Sequence, residues 1–123
     1  MDEIKYLDTY VLCEIAKANT HFLTLLVNTS VINDLTLAEF YGVILREFNE
    51  QTAEYWKNKF VPYAKPVPLD ILIRAVKFRK QHAKQDVSFF DAVGYIFAKE
   101  NGGVFVTGDK EFKGLPDVEF IKS

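Results

Sequence analysis

Cysteine is nearly missing from this 123-residue chain: Cys13 is the only one. A lone thiol excludes an internal disulfide and a thiolate zinc cluster, and it fits a reducing compartment. Histidine is almost as scarce. His21 and His82 stand apart, in no ligand or triad spacing, so imidazole metal centres and Ser–His chemistry lack their usual parts. No apolar run approaches the ~20 residues of a membrane span. The opening stretch MDEIKYLDTY lacks the basic flank and long apolar run of a signal peptide. The expected location is therefore cytoplasmic, with no membrane association. An excess of positive charge is also missing, since 15 Lys and Arg against 17 Asp and Glu leave −2. Global attraction to a polyanion is excluded, so nucleic-acid binding would need a local basic patch.

What is present is a globular composition, 49% apolar and 26% charged, at a length that predicts one domain over residues 1–123. Large rings are plentiful, with 11 Phe and 6 Tyr. That exceeds the needs of a core this size and assigns some of them to an oligomer or partner interface.

The patterning predicts a strand over residues 4–7, ending at Asp8-Thr9. Val11, Leu12, Ile15 and Ala16 then recur at helical spacing. Asn19-Thr20 ends that helix and opens another over 21–27. Residues 28–34 read as a loop or very short strand around Val31-Ile32. Thr36 opens a long helix carrying Leu37, Phe40, Tyr41, Ile44, Leu45 and Phe48. Asn49-Glu50 breaks it, and a further helix covers 51–63. Pro62, Pro66 and Pro68 mark a loop with room for a short extended piece. Residues 69–84 form a helix with Leu69, Leu72, Ile73 and Val76 on its apolar face. Ser88 opens the last helix, which Gly102-Gly103 ends. Strands are expected at 104–106 and 118–121, with a Thr107-Gly108-Asp109 turn between. Short strands separated by helices predict an α/β domain, a parallel sheet with helices on both faces.

In such a sheet the carboxyl ends of strands and the amino ends of crossover helices share one edge, and ligands bind there. Asp8 comes directly after the first strand, and Asp109 just after the strand at 104–106. Glu39 and Asp91 fall in first helical turns. Carboxylates crowded together raise one another's pKa, and a hard divalent cation relieves the repulsion. An all-oxygen donor set suits Mg²⁺ or Mn²⁺ and not zinc. A cation so held can activate water and neutralise a phosphodiester, which points to phosphodiester hydrolysis.

Each acid also has a plainer explanation. Thr36-x-x-Glu39 and Ser88-x-x-Asp91 match the capping box. Asp8 is placed to cap the first helix, and Asp109 to cap a turn near residues 110–112. Taken singly, capping is the favoured role of each; convergence on one edge reverses that. The basic run Arg74, Lys77, Arg79, Lys80 and Lys84 suits phosphate but is more simply a solvated helix face. Tyr55, Trp56, Phe60 and Tyr63 are more simply core or interface than an RNA-stacking surface. Cys13 reads as a small buried hydrophobe.

Four segments carry a resemblance: Tyr6-Leu7-Asp8-Thr9, Thr36-Leu37-Ala38-Glu39, Ser88-Phe89-Phe90-Asp91-Ala92, and Val106-Thr107-Gly108-Asp109-Lys110-Glu111-Phe112. In order and spacing they resemble the successive motifs of the PIN-domain family. The last two are the more specific. The resemblance implies a three-layer sandwich around a short five-stranded parallel sheet, and a Mg²⁺- or Mn²⁺-dependent endoribonuclease. It makes Asp8, Asp91 and Asp109 metal ligands, Glu39 a ligand or water-positioning group, and Thr107 a hydrogen-bonding support. The compact size resembles the VapC toxins of toxin–antitoxin pairs. That implies an RNA substrate, with tRNA a candidate, a homodimer, and a VapB-type antitoxin. One position departs from the pattern: two residues after the first Asp the family usually has a small polar residue, and here it is Tyr10.

Rival expectations are a non-catalytic PIN-like module that binds RNA or protein, and a PIN nuclease of RNA processing or DNA repair. A phosphoryl-transfer domain with a phospho-accepting Asp ranks below them, because Thr9-Tyr10 stands after Asp8 where an Asp-x-Asp is needed.

Overall fold

The structure is a computed structural model that describes residues 3–27 and 29–122. Asn28, and the side chains of Thr20 and His21, lie outside the described residues. Five parallel strands form one sheet in the order β3-β2-β1-β4-β5. They are β1 (Lys5–Leu7), β2 (Ser30–Asn33), β3 (Ala64–Lys65), β4 (Val104–Thr107) and β5 (Val118–Phe120). The helices are α1 (Thr9–Ala16), α2 (Thr20–Leu23), α3 (Asp34–Glu47), α4 (Glu50–Phe60), α5 (Leu69–Gln81) and α6 (Phe89–Glu100).

Alternation along the strands divides the core in two, because successive side chains point to opposite faces. Tyr6, Val31 and Phe105 face α5 and α6. Their neighbours Leu7, Ile32 and Val106 face α1, α3 and α4. The three-layer expectation therefore holds. The α5–α6 side is largely aromatic, with Phe78, Tyr95, Phe105 and Phe112 in mutual ring contact at 5.2–6.3 Å. Full burial of one such side chain is worth about 1.5–3 kcal/mol.

Three local expectations are corrected. The long helix begins at Asp34, not Thr36, because the Asn33 carboxamide caps it by accepting the Thr36 N–H at 2.8 Å. Glu39 thus sits in the second turn, clear of any capping box. Helix α2 stops at Leu23 rather than reaching Val27. The Ser30 hydroxyl accepts the Val27 N–H and donates to the Leu25 carbonyl, turning the chain into β2. On α5 the buried stripe is Ile71, Ala75 and Phe78, while Leu69, Ile73 and Val76 are exposed. Aliphatic residues fill two stripes of α5, and the Phe78 ring, stacked toward Phe112, decides which one faces the sheet.

Candidate active site

From β1 the chain steps outward to β2 and β3, then returns to the other side of β1 to form β4 and β5. The crevice beyond the carboxyl ends of the strands at such a reversal is where open parallel sheets bind ligands. Leu7 ends β1 and Thr107 ends β4, so Asp8 and Asp109 emerge side by side at this point. The amino-terminal turns of α3 and α6 supply Glu39 and Asp91. A cleft of about 230 Å³ is lined by Asp8, Thr9, Tyr10, Glu39, Asp91, Gly108 and Asp109. The four acids expected to share an edge do meet in one cavity.

Asp8 is 3% exposed. Its carboxylate caps α1 by accepting the Val11 N–H at 2.9 Å, and it also accepts from the Thr107 hydroxyl and the Gly108 N–H. Burial nevertheless pushes its pKa up to about 6, against the opposing pull of those bonds. Asp91 is driven well above the usual carboxylate range. Burial is the first cause, the charge of Asp8 the second, and a hydrogen bond to the Asp109 carboxyl the third. The Asp91 N–H donates to the Ser88 hydroxyl at 3.1 Å, so Ser88 caps α6 while the Asp91 carboxyl turns to Asp109. Asp109 accepts the Glu111 N–H at 3.0 Å and donates its own N–H to Thr107 Oγ1 at 3.0 Å. Glu39 accepts a hydrogen bond from the Thr9 hydroxyl.

Capping and clustering are therefore not rivals. Asp8 and Asp109 do both, Asp91 borrows a cap from Ser88, and Glu39 caps nothing. Thr107, fully buried at the end of β4, stands behind the cleft and ties Asp8 to the Asp109 backbone. Thr9 was not singled out from the sequence. Its bond to Glu39 spans 30 residues, and only its adjacency to Asp8 could have pointed to it.

The donor chemistry fits a hard divalent cation: four carboxylates line the cleft with no nitrogen or sulfur side chain, and burial and neighbouring charge hold Asp8 and Asp91 above their ordinary range. As they stand, Asp91 and Asp109 hydrogen-bond to each other, and Asp8 and Glu39 to nearby hydroxyl and amide groups. Among the described residues, no group of three or more His, Cys, Asp or Glu is arranged to hold a metal ion directly.

The family model for the PIN domain matches residues 5–118. This chain belongs to the PIN-domain family. No curated protein matches it significantly, but many solved structures do. One is VapC20 of Mycobacterium tuberculosis, described as a sarcin-ricin-loop-cleaving toxin. It is 15% identical with a TM-score of 0.77, over 94% of this chain and 98% of that one. A toxin–antitoxin complex from Klebsiella pneumoniae gives 19% identity and a TM-score of 0.72, over 94% and 95%. VapBC2 of Rickettsia felis, bound to a promoter DNA fragment, gives 15% and 0.72, over 96% and 97%. These likenesses establish a shared fold.

Within this PIN domain the expected basic run is not part of the acid cleft. Arg74 pairs with Glu100, and Arg79 donates to the Val87 carbonyl at 2.8 Å. Arg74 and Lys77 line a separate hollow of about 390 Å³ with Phe78, His82, Tyr95 and Lys99. The aromatic group on α4 is mixed. Phe60 is fully buried, Trp56 stacks on it at 5.6 Å, and Tyr55 is exposed. Cys13 is half-buried against the α1–α3–α4 core, and burial raises its thiol pKa to about 11, leaving it protonated and inert. No described helix is long and apolar enough to cross a membrane.

Proposed function

We propose that this PIN domain, spanning residues 1–123, is a Mg²⁺- or Mn²⁺-dependent endoribonuclease, the toxin of a VapBC-type pair acting in the cytoplasm. One observation carries the reading. Four carboxylates from four separate elements line a single cleft at the switch point, and capping by their own carboxylates accounts for only Asp8 and Asp109. Asp8, Glu39, Asp91 and Asp109 are the residues that would hold the cation. Bound there, it would neutralise the scissile phosphate and lower the pKa of the attacking water. The chain's own task is orientation: Thr107 and the Gly108 N–H fix the Asp8 carboxylate, and the Thr9 hydroxyl fixes Glu39. Similarity to VapC20 makes structured RNA, tRNA included, the substrate class to try first.

Two surfaces suit the partners this reading requires. Leu69, Ile73 and Val76 form an exposed apolar stripe on α5, suited to a second copy in a homodimer. Between α3 and α4, Leu37, Ala38, Tyr41 and Val61 line a trough of about 440 Å³ rimmed by Asp34, Glu54 and Lys57, suited to an antitoxin segment. The test is cleavage of tRNA and other structured RNAs by the purified protein with Mn²⁺, with EDTA, and after addition of the antitoxin candidate. Cleavage that needs metal supports the reading; cleavage unaffected by EDTA, or none at all, ends it. A non-cutting PIN-like module is the second reading, favoured by the Tyr10 ring in the cleft wall. Failure to bind millimolar Mg²⁺ or Mn²⁺ would select it.

A further inference from the structure

The cleft lining holds four carboxylates and no lysine or arginine. A phosphodiester strand laid across it brings further phosphates on either side of the one at the acids, toward a protein of net charge −2. Phosphate contacts set the register of a nucleic acid, and a lysine or arginine at the rim supplies their salt-dependent part. Lys122 is tied to this wall. Its Nζ lies 3.5 Å from the Gly108 carbonyl and 6.0 Å from the centroid of the Tyr10 ring, and both residues line the cleft. Among the described residues it has no carboxylate partner, unlike Lys5, Lys57 and Arg74. Its exposed ammonium thus lies beside the wall with no carboxylate neutralising it among the described residues.

The seat beneath it is closely packed. The Tyr10 ring meets Phe22 edge-on at 5.7 Å. It also lies so close to Gly108 that a Cβ there would come within 2.3 Å of it. Tyrosine at position 10 therefore requires glycine at 108, and the pair makes one wall. A ring face attracts an ammonium without cancelling its charge, so it can hold the lysine yet leave it free to meet a phosphate.

We propose that Lys122, seated on the Tyr10–Gly108 wall, is a positioning residue that contacts an RNA phosphate next to the one being cut, with Tyr10 as its platform. This rests on the nuclease reading above. The test is steady-state cleavage of a fluorescein-labelled single-stranded oligoribonucleotide at several salt concentrations, with anisotropy binding to metal-free protein in parallel. Lys122→Gln should raise KM and weaken binding about 3–10-fold, and should flatten the salt dependence by about 0.7 in logarithmic slope, one phosphate contact on a single strand. Its kcat should stay within about twofold, and Lys122→Arg should restore KM. Tyr10→Thr should reproduce the KM increase, and adding it to Lys122→Gln should do little more. If the wild type cleaves and Lys122→Gln matches it in KM and salt slope, this proposal falls and the nuclease reading stands. Fully additive effects of the two substitutions would remove Tyr10 as platform. A wild type that neither binds nor cleaves RNA overturns the nuclease reading and this proposal together.

Discussion

The acid cleft and the basic hollow between α5 and α6 handle charge in opposite ways. In the hollow, Arg74 is neutralised by Glu100, Lys99 lies over the Tyr95 ring at 5.8 Å, and the Arg74–Glu100 pair stays about half exposed. Water can solvate there what the protein leaves unpaired. In the cleft, carboxylates crowd around the buried Asp8, and Asp8 and Asp91 are both held above their ordinary range, by burial first and by neighbouring carboxylates second among the causes that raise them. Only a counter-ion or a proton relieves that. Charges left in conflict at a switch point mark a site of work, whereas charges satisfied locally mark a surface.

The sharpest way to break this comparison is to remove one acid. Asp91→Asn should lower metal-dependent RNA cleavage on the order of 10³-fold, as the loss of several kcal/mol of charge stabilisation implies. Circular dichroism should show an intact fold, because the backbone N–H bond to Ser88 remains.

The next effect is on stability. The folded Asp8 has a pKa of about 6 against 3.8 for the ordinary group. The folded state then binds more protons between those values, so the contribution is fully present below pH ~4 and lost as pH rises through ~6. Asp91, also raised, extends the loss to higher pH. Metal-free protein should lose on the order of 2–3 kcal/mol from the Asp8 shift alone, and Asp8→Asn should abolish that part of the slope in urea melts across pH 4–8. Wild-type stability that rises with pH across this range would contradict the assignment.

Smaller effects sharpen the contrast. Gly108→Ala forces the Tyr10 ring off the wall and should cost about 1–3 kcal/mol in denaturant midpoint, less if Tyr10→Thr is present too. Arg74→Ala, in the hollow, should cost under about 1 kcal/mol and leave cleavage within about twofold.

The acids were legible because each stands beside a strong local signal. Ser88 announces α6, and the run from Val104 to Asp109 announces a strand and its turn. Their meeting was a consequence of parallel topology, which the strand–helix alternation implied. The environment of Glu39 was not legible. Asn33 takes the cap from Thr36 and shifts the helix start by two residues, and nothing in a Thr-x-x-Glu pattern reveals an asparagine displacing it. The buried stripe of α5 was misread for a related reason: apolar residues occupy two faces, and only the ring of Phe112, 34 positions downstream of Phe78, selects between them. The bonds from Thr9 to Glu39 and from Lys122 to Gly108 join distant segments, and periodicity carries no trace of them.

Calorimetric titration of the protein with Mn²⁺ bears most directly on whether the cleft's crowded carboxylates form a cation site. Wild-type protein should bind with proton release at pH 6, since Asp8 and Asp91, both raised above the ordinary carboxylate range, lose protons to the buffer as the ion takes their place, and Asp91→Asn should lose most of the affinity. Binding of equal strength in both proteins, or no binding at millimolar Mn²⁺, would contradict the account.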